Sequence, residues 1–143
     1  MYLGELQNLE GVWIGTERVS ENGTQYEASA RLVFQTVFDG RFLVCDYIQT
    51  VPDRPISVGH GVFRNDDRTN KLTVTWFRSP VATATQQADA AAESDKPVFI
   101  ETIAGRTTRT TYSAVRDRMS IRTECSLGGD EWKLILEGSY RRR

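Results

Sequence analysis

Turn signals recur along this chain at intervals of 8 to 15 residues, and the segments between them are rich in Val, Ile, Thr, Phe, Tyr and Trp. That spacing suits short strands joined by tight turns, and it lacks the strand, helix, strand pattern of a parallel sheet. Helix-period stretches are nearly absent. Antiparallel strands in sequence order favour an all-β, up-and-down barrel of about ten strands, because closure removes both exposed edges. A β-sandwich is the alternative.

The strand positions follow from the punctuation. A first strand from about Gly11 to Val19 ends at Glu21-Asn22-Gly23, and Asn-Gly is the strongest short-range hairpin signal available. A long second strand, Gln25 to Phe38, turns at Asp39-Gly40 into Arg41 to Thr50. Pro52 and Pro55 mark an irregular connection, since neither donates to a ladder. Ser57 to Asn65 and Lys71 to Arg78 follow, the latter with Leu72, Val74 and Trp76 on one side. Residues 81–96 are the least patterned stretch and read as a weak strand with a loop, or as a short helix near Ala88 to Ser94. Val98 to Ala104, Arg106 to Arg116, Met119 to Cys125 and Glu131 to Arg141 complete the set. In the last strand Trp132, Leu134, Leu136 and Tyr140 alternate with polar neighbours, the pattern of one buried face. Before the first strand, Leu3, Leu6 and Leu9 have a helix-like spacing that predicts a short helical turn over one end of the barrel.

Size and charge narrow the partners. A chain of 143 residues can bury roughly two-thirds of its unfolded surface, so a single domain over 1–143 needs no metal or disulfide staple. No run approaches the roughly 18 apolar residues of a membrane helix, and Met1-Tyr2-Leu3-Gly4-Glu5 lacks the pattern of a signal peptide, so a cytoplasmic location without membrane insertion is expected. Residues 1–105 carry 9 basic and 14 acidic side chains, whereas 106–143 carry 9 and 5. Three of the latter positives are Arg141, Arg142 and Arg143, and the +1 that remains without them is too little for a nucleic-acid footprint.

Catalytic and metal motifs are missing from the sequence. With Cys45, Cys125 and His60 alone, a His/Cys metal cluster has no ligands to build from. No nucleophile elbow, phosphate-binding loop or zinc-protease motif occurs, and one histidine limits triad chemistry. The two cysteines read as reduced packing residues. Arg109 and Arg122 fall on adjacent strands within reach of Glu124 or Glu101, where ion pairs across the sheet or outward-facing side chains account for them.

Family resemblance rests on several motifs in order. Leu6-x-x-Leu9-x-Gly11-x-Trp13-x-Gly15-Thr16 resembles the Gly-x-Trp opening of calycin barrels, the group of lipocalins, fatty-acid-binding proteins and nitrobindins. Phe38-Asp39-Gly40-Arg41-Phe42-Leu43-Val44-x-Asp46-Tyr47, Gly59-His60-Gly61-Val62-Phe63, Thr75-Trp76-Phe77-x-Ser79 and Gly138-x-Tyr140-x-Arg142 follow. Together they resemble the bacterial family termed domain of unknown function 1579, over almost the whole chain. The resemblance implies a small barrel with a ligand cavity and no assigned activity. It further implies that Trp13 closes the barrel base with Arg141 or Arg142 packed across it.

Two binding modes of the group are not expected. Nitrobindins bind haem through a last-strand histidine, and around Glu137-Gly138-Ser139-Tyr140 there is none. Fatty-acid-binding proteins hold a carboxylate with a last-strand Arg-x-Tyr, which here reads Gly138-x-Tyr140, so a substitute cation has to come from another strand.

The expected function is binding or carrying a small apolar or amphipathic molecule, with homodimer formation left open. Candidate pocket residues are His60, Trp76, Arg78, Tyr112 and Tyr140, whose polar tips fix a ligand while rings pack. If Val58, His60 and Val62 point inward, His60 is a pocket wall; if Gly59, Gly61 and Phe63 do, it faces solvent. The alternatives are an isomerase or hydrolase using His60 as general base, and an interaction module with a filled interior.

Overall fold

The computed structural model describes residues 3–69, 71–79, 86–91, 97–103 and 105–143, with 86–91 and 103 as backbone. A 3-10 helix, Gly4–Leu9, precedes ten strands: β1 Gly11–Glu21, β2 Thr24–Val37, β3 Phe42–Thr50, β4 Ser57–Asp66, β5 Lys71–Ser79, β6 Gln86–Ala91, β7 Val98–Ile103, β8 Arg106–Val115, β9 Arg118–Ser126 and β10 Lys133–Arg142. Each strand pairs antiparallel with its sequence neighbours, and β1 also pairs with β10, giving a closed up-and-down barrel and not a sandwich. At the β6–β7 seam the register shows a single pair, Asp89 with Ile100. Gln86–Ala91 is a strand, so the short helix near Ala88 does not form; 80–85 and 92–96 lie outside the described residues.

Closure assigns every alternation a face. Trp13 and Glu17 on β1, Leu32 and Phe34 on β2, Leu43 and Cys45 on β3, and Leu72, Val74 and Trp76 on β5 are buried inward. On β4 the inward set is Gly59, Gly61 and Phe63, which leaves Val58, His60 and Val62 outside. Asn22 and Gly23 take positive φ values of 50° and 80° in the first hairpin turn, as Asn-Gly predicts. On β10 a register shift between Leu134 and Leu136 overturns the simple alternation expected there. The irregularity sets Leu134 opposite Glu124 instead of beside Leu136 on the inner face, and Trp132 lies under the Arg109 guanidinium at 3.8 Å.

One end of the barrel is plugged. Leu6 and Leu9 of the 3-10 helix and Leu3 just before it are buried with Trp13, Phe34 and the rest of the core. The Trp13 indole N–H donates to the Leu9 carbonyl at 2.7 Å, and the Arg142 guanidinium lies 4.3 Å from the Trp13 ring. Arg142 also donates to the carbonyls of Glu10, Asn8 and Arg116, so one side chain ties the helix, β1 and the β8–β9 turn together. Of the two arginines proposed to cross Trp13, Arg142 does so. Replacing it removes a cation–π contact of about 0.5–2 kcal/mol and charge-assisted bonds to three carbonyls. Arg142→Ala is therefore expected to destabilise the barrel by about 2–4 kcal/mol in urea unfolding, and Arg142→Lys by less than that.

Candidate functional site

The half of the barrel away from the helix has a different lining. Inward residues of the plugged half are nearly inaccessible, whereas inward Tyr47, Gln49, Glu101, Thr108, Thr110, Thr123 and Leu136 retain partial exposure. These partly exposed, mostly polar residues line the half of the interior, here the cup, that lies over the buried rings of Trp76, Tyr112 and Tyr140, whereas surface pockets lie at the helix end, against Leu6, Asn8 and Ser113 and against Gln7, Glu10 and Arg142.

At its base lies Glu17, 2% exposed. Alternation from Trp13 through Gly15 carries it inward, and an isolated buried carboxylate costs several kcal/mol unless it is hydrogen-bonded. Three neutral donors satisfy it. Tyr47 Oη and Gln49 Nε2 donate to Oε1 at 2.5 and 2.8 Å, and Tyr140 Oη donates to Oε2 at 2.5 Å. Glu17 was not among the expected site residues; the inward parity of Trp13, Gly15 and Glu17 was the signal that would have found it.

Glycines aim the aromatic rings. A Cβ at Gly138 would overlap the Tyr140 hydroxyl, so the ring lies back along its own strand over Gly138 and reaches Glu17. A Cβ at Gly61 would sit 2.9 Å from the Trp76 ring, closer than packing tolerates, while one at Gly59 would sit at 3.5 Å. The Gly59-His60-Gly61 segment thus seats Trp76 flat against β4. The rings of Phe63, Phe99 and Tyr112 meet edge to face at 5.5 to 5.8 Å, and Phe63 meets Trp76 in the same way at 5.9 Å.

Four of the five expected pocket residues converge here. Tyr112 and Tyr140 are buried, Trp76 is nearly so, and Arg78 shares their inward parity at the mouth, its guanidinium 5.2 Å from the Trp76 ring. Cross-strand register puts Tyr47, Gly59 and Arg78 in one row. Among the described residues Arg78 has no carboxylate within ion-pair distance, unlike Arg109, which binds Glu124 at 3.0 Å, and Arg122, which binds Glu137 at 3.0 Å. Its charge is felt nearby, opposing the burial that raises the Glu101 carboxyl and the Tyr47 phenol.

His60 is the exception. It stands on the outer face, its side chain 46% exposed, with Nδ1 2.8 Å from Asp46 Oδ1. The pair is open to water and away from the cup, so His60 is not a pocket wall, and any reaction based on it would take place outside the barrel. Glu101 points toward the cup and not toward Arg109. Among the described residues no group of His, Cys, Asp and Glu suits a metal ion, and no helix is long and apolar enough to cross a membrane.

Fold and lining together define a closed antiparallel barrel, plugged at one end by the 3-10 helix and lined toward the other by partly exposed, mostly polar residues. The crystal structure of Rv2717c from M. tuberculosis has a similar fold, with a TM-score of 0.69 and 16% sequence identity over 96% of this chain and 94% of that one. At that identity the likeness is one of fold alone. No protein-family model matches the sequence, and a search of curated proteins returns no match.

Two predictions follow from the packing. Gly61→Ala forces the Trp76 ring away and is expected to cost about 1–3 kcal/mol, whereas Gly59→Ala, with ordinary contact distances, costs less than about 1 kcal/mol; paired urea denaturations decide between them. Burial first, and then the Glu17 charge, hold the Tyr140 and Tyr47 phenols well above the usual tyrosine range, and burial does the same at Tyr112. These phenols keep their protons in the folded state beyond the pH at which the unfolded chain loses them. Their contribution to stability is therefore intact below about pH 10 and falls above it, by about 1.4 kcal/mol per pH unit for each residue. Tyrosinate absorbance should show Tyr47, Tyr112 and Tyr140 ionising only as the barrel unfolds, and Tyr47→Phe or Tyr140→Phe should each remove one such step.

Proposed function

We propose that this chain binds or carries a small amphipathic molecule in the cup, with the acidic end of that molecule on Arg78. One observation carries the reading: Arg78, on the inward row at the mouth, has no carboxylate within ion-pair distance among the described residues. An exposed cation at the mouth, with the Glu101 carboxyl near it but not ion-paired to it, is suited to an anionic ligand group. Partly exposed Tyr47 and Leu136 supply apolar surface for the body of the ligand. The arrangement also answers the missing last-strand arginine of the Arg-x-Tyr mode, since the cation comes from β5. This reading agrees with what resemblance to calycin barrels and to domain of unknown function 1579 implies, a bacterial carrier barrel acting in the cytoplasm. A homodimer is compatible with it and is not required by it.

Calorimetric titration with decanoate and with decan-1-ol tests the reading. The acid is expected to bind at least tenfold more tightly than the alcohol, Arg78→Gln to abolish that preference, and His60→Ala to leave binding unchanged. Native mass spectrometry of protein from its own host should show a retained acid. Absence of both a retained molecule and saturable uptake, or unaltered binding by Arg78→Gln, overturns the reading.

A further inference from the structure

The outer wall of the barrel differs in character from one side to the other. Over β8–β10 it carries ion pairs, Arg109 with Glu124 and Arg122 with Glu137. Over β1–β5 apolar side chains face water instead, and Ile14, Ile48, Val58 and Phe77 are between 39% and 52% exposed. Strand register makes these four neighbours. One outward row runs Ile14, Arg31, Ile48, Val58, and the next runs Val33, Asp46, His60, Phe77. A third passes through Val44 and Val62. Single exposed apolar residues are ordinary on a protein surface, but a contiguous set on one face marks a contact surface.

Two charges within that face indicate what covers it. Arg31 has no hydrogen-bond or ion-pair partner among the described residues. Asp46, its side chain 70% exposed, binds His60 through Oδ1 and leaves Oδ2 without a partner among them. Arg31 and Asp46 stand on neighbouring strands, two residues out of register, with Cα atoms about 8 Å apart. We propose that a second copy of this chain packs on this wall as a two-fold dimer, each copy's Arg31 meeting the other copy's Asp46. A two-fold axis lying in the contact plane and passing midway between the two residues exchanges their positions, so the face is complementary to itself in charge. The same axis runs beside Ile48 and Val58, which therefore pack close to their own counterparts. One cation balanced by one carboxylate gives no net attraction to an anionic lipid surface, and that favours a second copy as the occupant. Five strands and three rows give a footprint of roughly 24 by 20 Å, at most about 500 Å² per copy on a convex wall. A standard interface takes roughly 800 Å² per partner, so this dimer is reversible, with a dissociation constant on the order of micromolar.

Sedimentation velocity on the full chain between about 5 and 500 µM, a range that brackets such a constant, is expected to show monomer passing into dimer. Val58→Asp, at an outward and exposed position, should hold the chain monomeric over the whole range and leave its urea midpoint unchanged. Arg31→Asp alone and Asp46→Arg alone should each weaken association by about tenfold or more, because each sets like charges against one another. The double exchange, Arg31→Asp with Asp46→Arg, should restore association to within about threefold of the unaltered chain, a recovery that a local role for either residue does not give. A chain that stays monomeric throughout overturns the proposal, as does a dimer that ignores Val58→Asp or that the double exchange fails to restore. A monomer that cosediments with phosphatidylglycerol vesicles also overturns it, and makes a lipid surface the occupant of this face.

Discussion

Pairing of β1 with both β2 and β10 is the constraint on which the other features depend. A closed sheet has an inside and an outside and no edges, so each residue's face is fixed by counting from any buried neighbour. From Trp13 the count puts Glu17 inside, and from Phe63 it puts Gly59 and Gly61 inside and His60 outside. The 3-10 helix then distinguishes the two ends. Three leucines and the Arg142 clasp fill one half as a dry core, and the other half is left to polar residues that water reaches.

Within the cup, the way the buried carboxylate is neutralised decides what else the site can do. An arginine partner for Glu17 would have balanced the charge within the protein. Two phenols and an amide satisfy the same lone pairs without bringing a cation against Glu17.

Much of the fold was legible because local signals and closure agree. Asn22-Gly23, the Leu3, Leu6, Leu9 spacing and the alternation of Leu72, Val74 and Trp76 each specify an element that the structure contains. The Trp13 and Arg142 pairing and the Arg109 with Glu124 pair were also within reach of the sequence. Three features were not. On β4, two valines compete with two glycines and a phenylalanine for the inner face, and hydrophobicity alone does not choose; the glycines win because the Trp76 ring of the next strand occupies their missing volume. The irregularity between Leu134 and Leu136 leaves no mark in an alternating pattern, so Trp132 reads as inward. Glu17 reads as a surface residue between Thr16 and Arg18 until parity is counted from Trp13.

The glycines of the site show how placement of a ring competes with strand stability. Glycine in a strand interior is less favourable than alanine by roughly 0.5–1 kcal/mol, and Gly61 and Gly138 both stand in strand interiors. Each is kept where a single added carbon would collide with an aromatic side chain of the cup, Trp76 in one case and Tyr140 in the other. A barrel selected for stability alone would fill both positions and move the rings. Holding the rings where they are puts the Tyr140 hydroxyl on Glu17 and the Trp76 face beside Arg78. The strand is weakened at the positions where a binding site needs rigid side chains held by their surroundings, and that coincidence ties the glycines to the cup more than to the fold.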